Sequence, residues 1–417
     1  ADILREYAGQ RVFTTFGRWG DAGIQFLEKR IIRLLYSKSE GLLLARRLKS
    51  RNVSAAGNAP VLDLAQSLIP EKKMLQSLPR FYVNLFSSRS SIGSEFYIKR
   101  EEDEERMRQA VDRYNDGYKG GILVLGERNA GKTAFCKQVT DELFPKKNIL
   151  HLFAPNEGST RVEDLARILE QETGLQGTPV EILASLSHET VLVIHDLELW
   201  FAQHEEGSEV VQFLVQLMDR FNEKILFIVN CNPHSFSLID AIEPIRNRFI
   251  STIELSPLST EELKDLILLR HHSSGLHFRW KGRAEKKMSE LRLASLFDAY
   301  FAFSEGNPGA ALNAWLGSIL RRTGDTLDIR TPEIPNLTPL RNMDEDMLVI
   351  LSVFAIHKRL TTAKLARITC LEIPDVEKQM NTLKRCGLIE ERGRGSLILN
   401  MYLEPFILKV LIEKQVL

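Results

Sequence analysis

The spacing of hydrophobic positions divides this chain into three kinds of architecture. From Gly120 to Leu255, short apolar runs alternate with longer segments whose apolar residues recur every three to four positions. The runs predict strands at Ile122–Leu125, Ile149–Phe153, Val191–Ile194, Ile225–Val229 and Ser251–Leu255. The periodic segments predict helices at Lys132–Leu143, Val162–Thr173, Pro179–Leu186 and Glu209–Asn222. Near-continuous apolar strands alternating with helices imply an α/β core, a parallel sheet covered by helices on both faces. Upstream the pattern is helical. Ile24, Leu27, Ile31 and Leu35 share a face over Gly23–Tyr36, a helix follows near Val61–Leu68, and a charged helix spans Glu101–Tyr114, with a short strand expected at Phe96–Lys99. Downstream, Thr323–Pro339 carries three prolines and reads as a linker. Helices are then expected at Asp344–Ile356, Thr361–Ile368 and Pro374–Cys386, followed by two short strands around a Gly-Arg turn within Leu388–Leu399. Three helices and a hairpin make a winged helix.

At 417 residues the chain exceeds one ordinary core. A hydrophobic content of 44% and a charged content of 26% fit a water-soluble fold. The zero formal net charge argues against wholesale coating of nucleic acid but permits local patches. Cys136, Cys231, Cys370 and Cys386 show neither Cys-x-x-Cys nor zinc-ligand spacing, so reduced thiols are expected. No apolar run nears the roughly 18 residues of a membrane span, and no signal peptide is visible. A cytoplasmic location is expected. A start at Ala1 leaves open a longer, membrane-associated parent of which this is the cytosolic part. Glu28, Lys29, Arg30 and Arg33 on the Gly23–Tyr36 helix, with Arg46, Arg47, Lys49 and Arg51 beyond it, suit an anionic membrane or a partner. They equally suit a solvated helix packed on its own domain.

The densest chemistry follows the first strand: Gly126-Glu127-Arg128-Asn129-Ala130-Gly131-Lys132-Thr133, running into Ala134 and a helix. In strand–loop–helix context, G-x-x-x-x-G-K-[ST] is a phosphate-binding loop, because its backbone N–H groups and the helix N-terminus converge on an anion. Lys132 is expected to reach the β- and γ-phosphates of ATP or ADP, and Thr133 to hold Mg²⁺. Hydrolysis also needs a carboxylate for the metal and a base for water. Val191–Ile194 runs into His195-Asp196-Leu197-Glu198, and two registers are open. One puts His195 at the metal position and Asp196 at the base. The other puts Asp196 on the metal and leaves Glu198 as base. Asp196 is the main carboxylate in both, and the departure predicts slow turnover. Asn232 is the first candidate, and Asn230 the second, for a polar contact to attacking water or γ-phosphate.

Phosphate loop, acidic strand, Asn-tipped strand, then Ile245-Arg246-Asn247-Arg248-Phe249 before a last strand and helices is an order that resembles the AAA+ ATPases. The join at Ser256–Leu263, with Ser259 and Glu262 as a capping box, resembles the origin-recognition and initiator type. Over about residues 95–320 the resemblance implies ATP and Mg²⁺ as cofactors, a homo-oligomer or protein partner, and Arg248 as a finger reaching a neighbour's γ-phosphate. It also implies a helical lid in which Ser304–Leu312 resembles a second sensor. Gly309 stands where the family usually has arginine. The implied division is a helical N-terminal region (1–95), a nucleotide-binding core (96–256), a helical lid (257–322), a linker (323–339) and a winged-helix domain (340–417). Phe96, Tyr97 and Ile98 are base-contact candidates that packing explains as well. On the winged helix, Lys378, Lys384, Arg385, Arg392 and Arg394 are candidate DNA contacts, opposed by Asp375, Glu377, Glu390 and Glu391. The expected function is an ATP-Mg²⁺ switch. The alternatives are a DNA-binding initiator or transposition-type ATPase and a non-hydrolysing scaffold resembling the STAND NTPases.

Overall fold

The five apolar runs become one parallel sheet of order β2-β3-β4-β1-β5: β1 Gly121–Leu125, β2 Asn148–Phe153, β3 Thr190–His195, β4 Ile225–Cys231 and β5 Phe249–Glu254. The computed structural model describes residues 59–87, 93–145, 148–188, 190–204, 206–393 and 395–417. The basic segments at 23–36 and 46–51, and Arg394, lie outside the described residues. Central strands β1, β3 and β4 are buried at every position, as expected where helices cover both faces. One face packs Ile122, Val124, Val191 and Val193 against Met107 of α4 (Glu101–Asn115) and Phe135 of α5 (Lys132–Leu143). The other packs Leu123, Leu192 and Phe227 against Leu165 of α6 (Val162–Thr173), Ile182 of α7 (Pro179–Ser185), Leu214 of α8 (Glu209–Phe221) and Phe236 of α9 (Pro233–Ile242).

A second core follows the sheet. Ser259 caps α10 (Thr260–Ser273) and closes a capping box with Glu262, the local reason the chain turns into a helix there. Helices α11 (Glu290–Ser304) and α12 (Pro308–Ser318) bury Phe297, Tyr300 and Trp315 against α10. The expectation of a purely helical lid and a linker at 323–339 needs correction. Strands β6 (His277–Trp280), β7 (Arg283–Ala284), β8 (Ile319–Thr323) and β9 (Thr326–Ile329) form a sheet of order β7-β6-β9-β8. Phe278, Leu327 and Ile329 enter the lid core from it, so the chain through Ile329 is ordered packing rather than a connector.

The third core is the winged helix: α13 (Thr338–Arg341), α14 (Glu345–His357), α15 (Thr362–Thr369), α16 (Ile373–Arg385), the antiparallel β10 (Ile389–Glu391) and β11 (Leu397–Leu399), and α17 (Glu404–Glu413). The upstream helices are shared out between these cores. Val61, Leu64 and Ala65 of α1 (Ala59–Leu68) join the winged helix. The short α2 (Lys72–Ser77) leads into α3 (Arg80–Phe86), whose Tyr82 and Phe86 join the lid. Tyr82 takes a hydrogen bond from Trp315 Nε1 at 2.7 Å and sits 2.9 Å from His271 Nδ1, which pairs the indole N–H and the phenol hydroxyl inside the lid core and leaves His271 Nε2 buried without a partner among the described residues. Phe96–Lys99 is not a strand. Ser94–Phe96 is a 3₁₀ turn, after which Tyr97 donates to Glu104 and packs beside the sheet core, and Ile98 packs on the lid core.

Candidate nucleotide site

Parallel pairing brings the chemistry to one rim. Leu125 of β1 is level with Cys231 of β4, and Ile194 of β3 with Val229 of β4. The loop after β1 and the carboxylate after β3 therefore stand on either side of β4, about 10 Å apart at the usual strand spacing. This is the carboxyl edge of the sheet, where open α/β sheets bind ligands.

The loop Gly126–Lys132 folds tightly because Asn129 (φ 59°) and Gly131 (φ 90°) take left-handed conformations. Gly131 is the N-cap of α5 and offers no side chain, so the first N–H groups of that helix remain directed at the loop. Lys132 is buried and donates to the carbonyls of Gly126 and Glu127 at 2.8 and 3.0 Å. Burial pulls its ammonium below the ordinary lysine range, against the opposing pull of Glu198 and Asp196. Thr133 is half-buried, and Glu127 and Ala134 are exposed. Arg100 supports the loop by donating to the Ala130 carbonyl at 2.7 Å and to that of Ser256.

The acidic strand gives His195, Asp196 and Glu198 three different surroundings. His195 is the last residue of β3 and fully buried, stacked on Phe153 with ring centroids 4.3 Å apart. Its Nδ1 lies 2.7 Å from Asn230 Nδ2 and its Nε2 lies 3.0 Å from His151, the pattern of a neutral ring protonated on Nε2. Desolvation, then the neighbouring His151, pushes its pKa down to about 3. His195 is thus a core residue. Asp196, one position on, turns out of the strand in a left-handed conformation (φ 51°), and its N–H donates to Asn230 Oδ1 at 2.9 Å. Burial opposes its ionisation, but Lys358 and Lys132 outweigh that and hold its carboxyl well below the usual range. Glu198 is buried, accepts from the Asn232 N–H at 3.3 Å, and has one Oε1 with no partner among the described residues.

The two asparagines have different protein partners. Asn232 is the N-cap of α9, its Oδ1 accepting from His234 and Ser235. Asn230 lies within β4 and joins His195 to Asp196. Arg248 sits in a 3₁₀ turn just before β5, at the opposite end of the strands from the loop, some five residues or roughly 17 Å away. Its Nε lies 2.8 Å from Asp219 without hydrogen-bond alignment, and it is partly exposed.

Lid and winged helix both reach the loop. Asn307, the N-cap of α12, donates to the Arg128 carbonyl at 2.9 Å, and Gly309 N–H donates to the Asn129 carbonyl at 3.1 Å. A Cβ on Gly309 would lie 2.3 Å from Asn129 Cβ, so glycine here is a condition of the contact. Replacing Gly309 with arginine should push the lid off the loop. The expected cost is about 1–3 kcal/mol of overpacking, read as a lower denaturant midpoint. From the winged helix, Glu404 accepts from Arg128 at 2.7 Å and from Asn129 at 3.0 Å. The Phe354 and Ala355 carbonyls take Arg128 Nη2 at 2.6 and 2.8 Å. Lys358 Nζ lies 2.6 Å from Asp196 Oδ1. These partners were missed in the sequence, where nothing local marks residues over 150 positions from the loop and strand they touch. Between loop, lid turn and α17 lies a cavity of about 630 Å³.

Residues 122–257 match the family described as "ATPase family associated with various cellular activities (AAA)". They form an AAA ATPase domain. With it comes ATP binding as the family's property. Among solved structures, the domain and its flanks are similar to the ORC2 protein of Aeropyrum pernix in its ADP form. That match has 15% identity and a TM-score of 0.44, over 79% of this chain and 97% of that one. The Cdc6p protein of Pyrobaculum aerophilum is similar at 14% identity and TM-score 0.37, over 79% and 98%. The RuvB Holliday junction branch migration motor of Thermotoga maritima is similar at 16% and 0.36, over 74% and 95%. No curated protein matches the chain.

Mg²⁺ chemistry suits the donors at the rim: the Thr133 hydroxyl, the Asp196 carboxylate and the unpartnered Oε1 of Glu198 are oxygen ligands or water-orienting groups. On the winged helix, Lys378, Lys384 and Arg385 are exposed on α16, but Lys384 already lies 3.6 Å from Glu391 and Arg392 is half-buried. Among the described residues no helix is long and apolar enough to cross a membrane.

Proposed function

We propose that the chain is an ATP-binding switch in which the nucleotide at Gly126–Thr133 sets how the lid and winged helix sit on the sheet. The observation that carries this reading is the loop's double engagement. Its Arg128 and Asn129 carbonyls hold the lid, while its Arg128 and Asn129 side chains hold the winged helix. A phosphate drawn into the loop competes for Lys132, whose present acceptors are loop carbonyls, and so reshapes the segment to which both other units are tied. Bound Mg²⁺ supplies charge neutralisation of the phosphates, with Thr133 and Asp196 as the residues that would hold it. Arg248, on the far side of the sheet from its own loop, would serve a neighbouring copy.

Nucleotide titration tests the reading. Lys132→Ala removes one charge-assisted contact worth about 1.5–3 kcal/mol, so ATP affinity should fall roughly 10- to 100-fold. Equal, negligible binding by both proteins would end the proposal.

A second reading, a scaffold that keeps its nucleotide without turning it over, is favoured by Gly309. The lid meets the loop through backbone at that point, leaving no arginine to read the γ-phosphate there. Steady-state phosphate release separates the two readings. Tightly bound nucleotide with no turnover selects the scaffold.

A further inference from the structure

The segment Phe354–Arg359, which ends α14 of the winged helix, touches most of the sheet's carboxyl rim. Phe354 and Ala355 carbonyls accept from Arg128, the Ile356 carbonyl accepts from Ser235 Oγ at 2.6 Å, and Arg359 donates to the Asn156 carbonyl at 2.9 Å. The last carbonyls of a helix lack intrahelical partners, and here Arg128 of the phosphate loop and Ser235 of α9 supply donors to Ala355 and Ile356, while Phe354 accepts from both Arg128 and the Lys358 N–H. Lys358 lies within this segment in a left-handed conformation (φ 61°, ψ −45°) that a non-glycine residue seldom adopts without support. That backbone carries its side chain over the rim, where the ammonium meets Asp196 Oδ1 at 2.6 Å.

Asp196 is the carboxylate with which a nucleotide's metal ion must deal, by the reading proposed above, on which this inference rests. An ammonium at hydrogen-bonding distance already neutralises it. Mg²⁺ takes oxygen ligands at about 2.0–2.1 Å and repels a neighbouring ammonium, so the two cannot share one carboxylate at contact range. Lys132, also near Asp196, is turned to its own loop carbonyls and does not replace Lys358 in this role.

We propose that Lys358 is a tethered cation that competes with divalent metal for Asp196, so that metal-bound nucleotide and the docked winged helix exclude one another. Nucleotide without metal leaves Lys358 in place. Nucleotide with Mg²⁺ displaces it and, through the continuous segment Phe354–Arg359, loosens the winged helix from the rim. The apparent affinity for Mg²⁺-ATP is then lowered by the fraction of molecules in which Lys358 is seated.

The test compares wild type, Lys358→Met and Lys358→Arg, each titrated with ATP in excess Mg²⁺ and with ATP in EDTA. Small-angle scattering and limited proteolysis follow the winged helix. Lys358→Met should bind Mg²⁺-ATP about tenfold more tightly, with metal-free binding unchanged. Lys358→Arg, which keeps the charge, should restore the wild-type metal dependence. Wild type should release its winged helix with Mg²⁺-ATP and keep it docked with ATP in EDTA. Identical metal dependence in wild type and Lys358→Met overturns the proposal and leaves the nucleotide site standing. Failure of wild type to bind either form of ATP takes both down. Should Lys358→Met not fold, wild-type scattering still decides: a winged helix that stays docked with saturating Mg²⁺-ATP rules the competition out.

Discussion

Acidification from pH 7 to pH 4.5 should remove most of the stability of this protein, because each of its three cores buries a neutral histidine. His195 ends a central strand of the sheet, His271 lies inside the lid on α10, and His357 ends α14 of the winged helix; all three are fully buried. Desolvation is the leading cause in each case. It pushes His195 and His271 down to about 3 and His357 well below its ordinary value. Neighbouring positive or protonatable groups add to it: His151 beside His195, His272 and His277 beside His271, and Lys364 beside His357. The folded chain therefore stays unprotonated at these sites below pH 6.5, where the unfolded chain takes up protons. The unfolded state binds more protons throughout that window, so stability rises with pH there and is lost as pH falls below about 6.5. Each site contributes up to about 1.4 kcal/mol per pH unit, and three sites over two units sum to roughly 8 kcal/mol at most, comparable to a whole domain's stability. Asp196, held low by Lys358 and Lys132, loses its contribution only below the ordinary carboxylate range, so it adds at more acidic pH. Urea midpoints measured at pH 7.5, 6 and 5 check this. His271→Asn, neutral but still able to bond the Tyr82 hydroxyl, should remove about a third of the slope. A midpoint that stays flat from pH 7 to 5 would show that the histidines titrate normally.

These histidines also show where the sequence stops being informative. His195 in Val-Ile-His-Asp invites comparison with a metal-binding position, and only the pairing of β3 with β2 and β4 shows it locked between Phe153, His151 and Asn230. The sheet itself was readable, because strands buried on both faces leave uninterrupted apolar runs. The loop was readable because its chemistry is local. The lid sheet was not. His-Phe-Arg-Trp at β6 is too short a run to stand out, and the prolines after β9 dominate the pattern around it. Helix α9 escaped for the reverse reason, since Pro233 and two serines break up an apolar face that Phe236 and Ile239 nevertheless bury. Least readable was the rim formed by the winged helix. Arg128 and Glu404 are 276 positions apart, and Arg128 read alone is an unremarked member of a phosphate loop.

That pairing sets the last expectation. Arg128→Ala should cost about 3–5 kcal/mol, the range for removing one partner of a buried ion pair. Both side chains are largely withdrawn from water, with 5% and 8% exposure, so what remains after the change is a buried Glu404 carboxylate held only by Asn129. The change also strips the Ala355 carbonyl of its donor at the end of α14 and leaves the Phe354 carbonyl only the Lys358 N–H, adding an unsatisfied acceptor at the same joint. The loss falls on docking rather than on either core, since no hydrophobic cluster of the sheet shares a buried residue with that of the winged helix. Calorimetry should therefore show one cooperative transition splitting into two, with the winged helix melting or releasing first. Glu404→Gln keeps an acceptor for Arg128 and should cost less. The double variant Arg128→Ala with Glu404→Ala should recover part of the loss, because no charge is then left stranded. A single transition with a loss under about 1 kcal/mol for Arg128→Ala would mean that the winged helix is held to the sheet by something other than this joint.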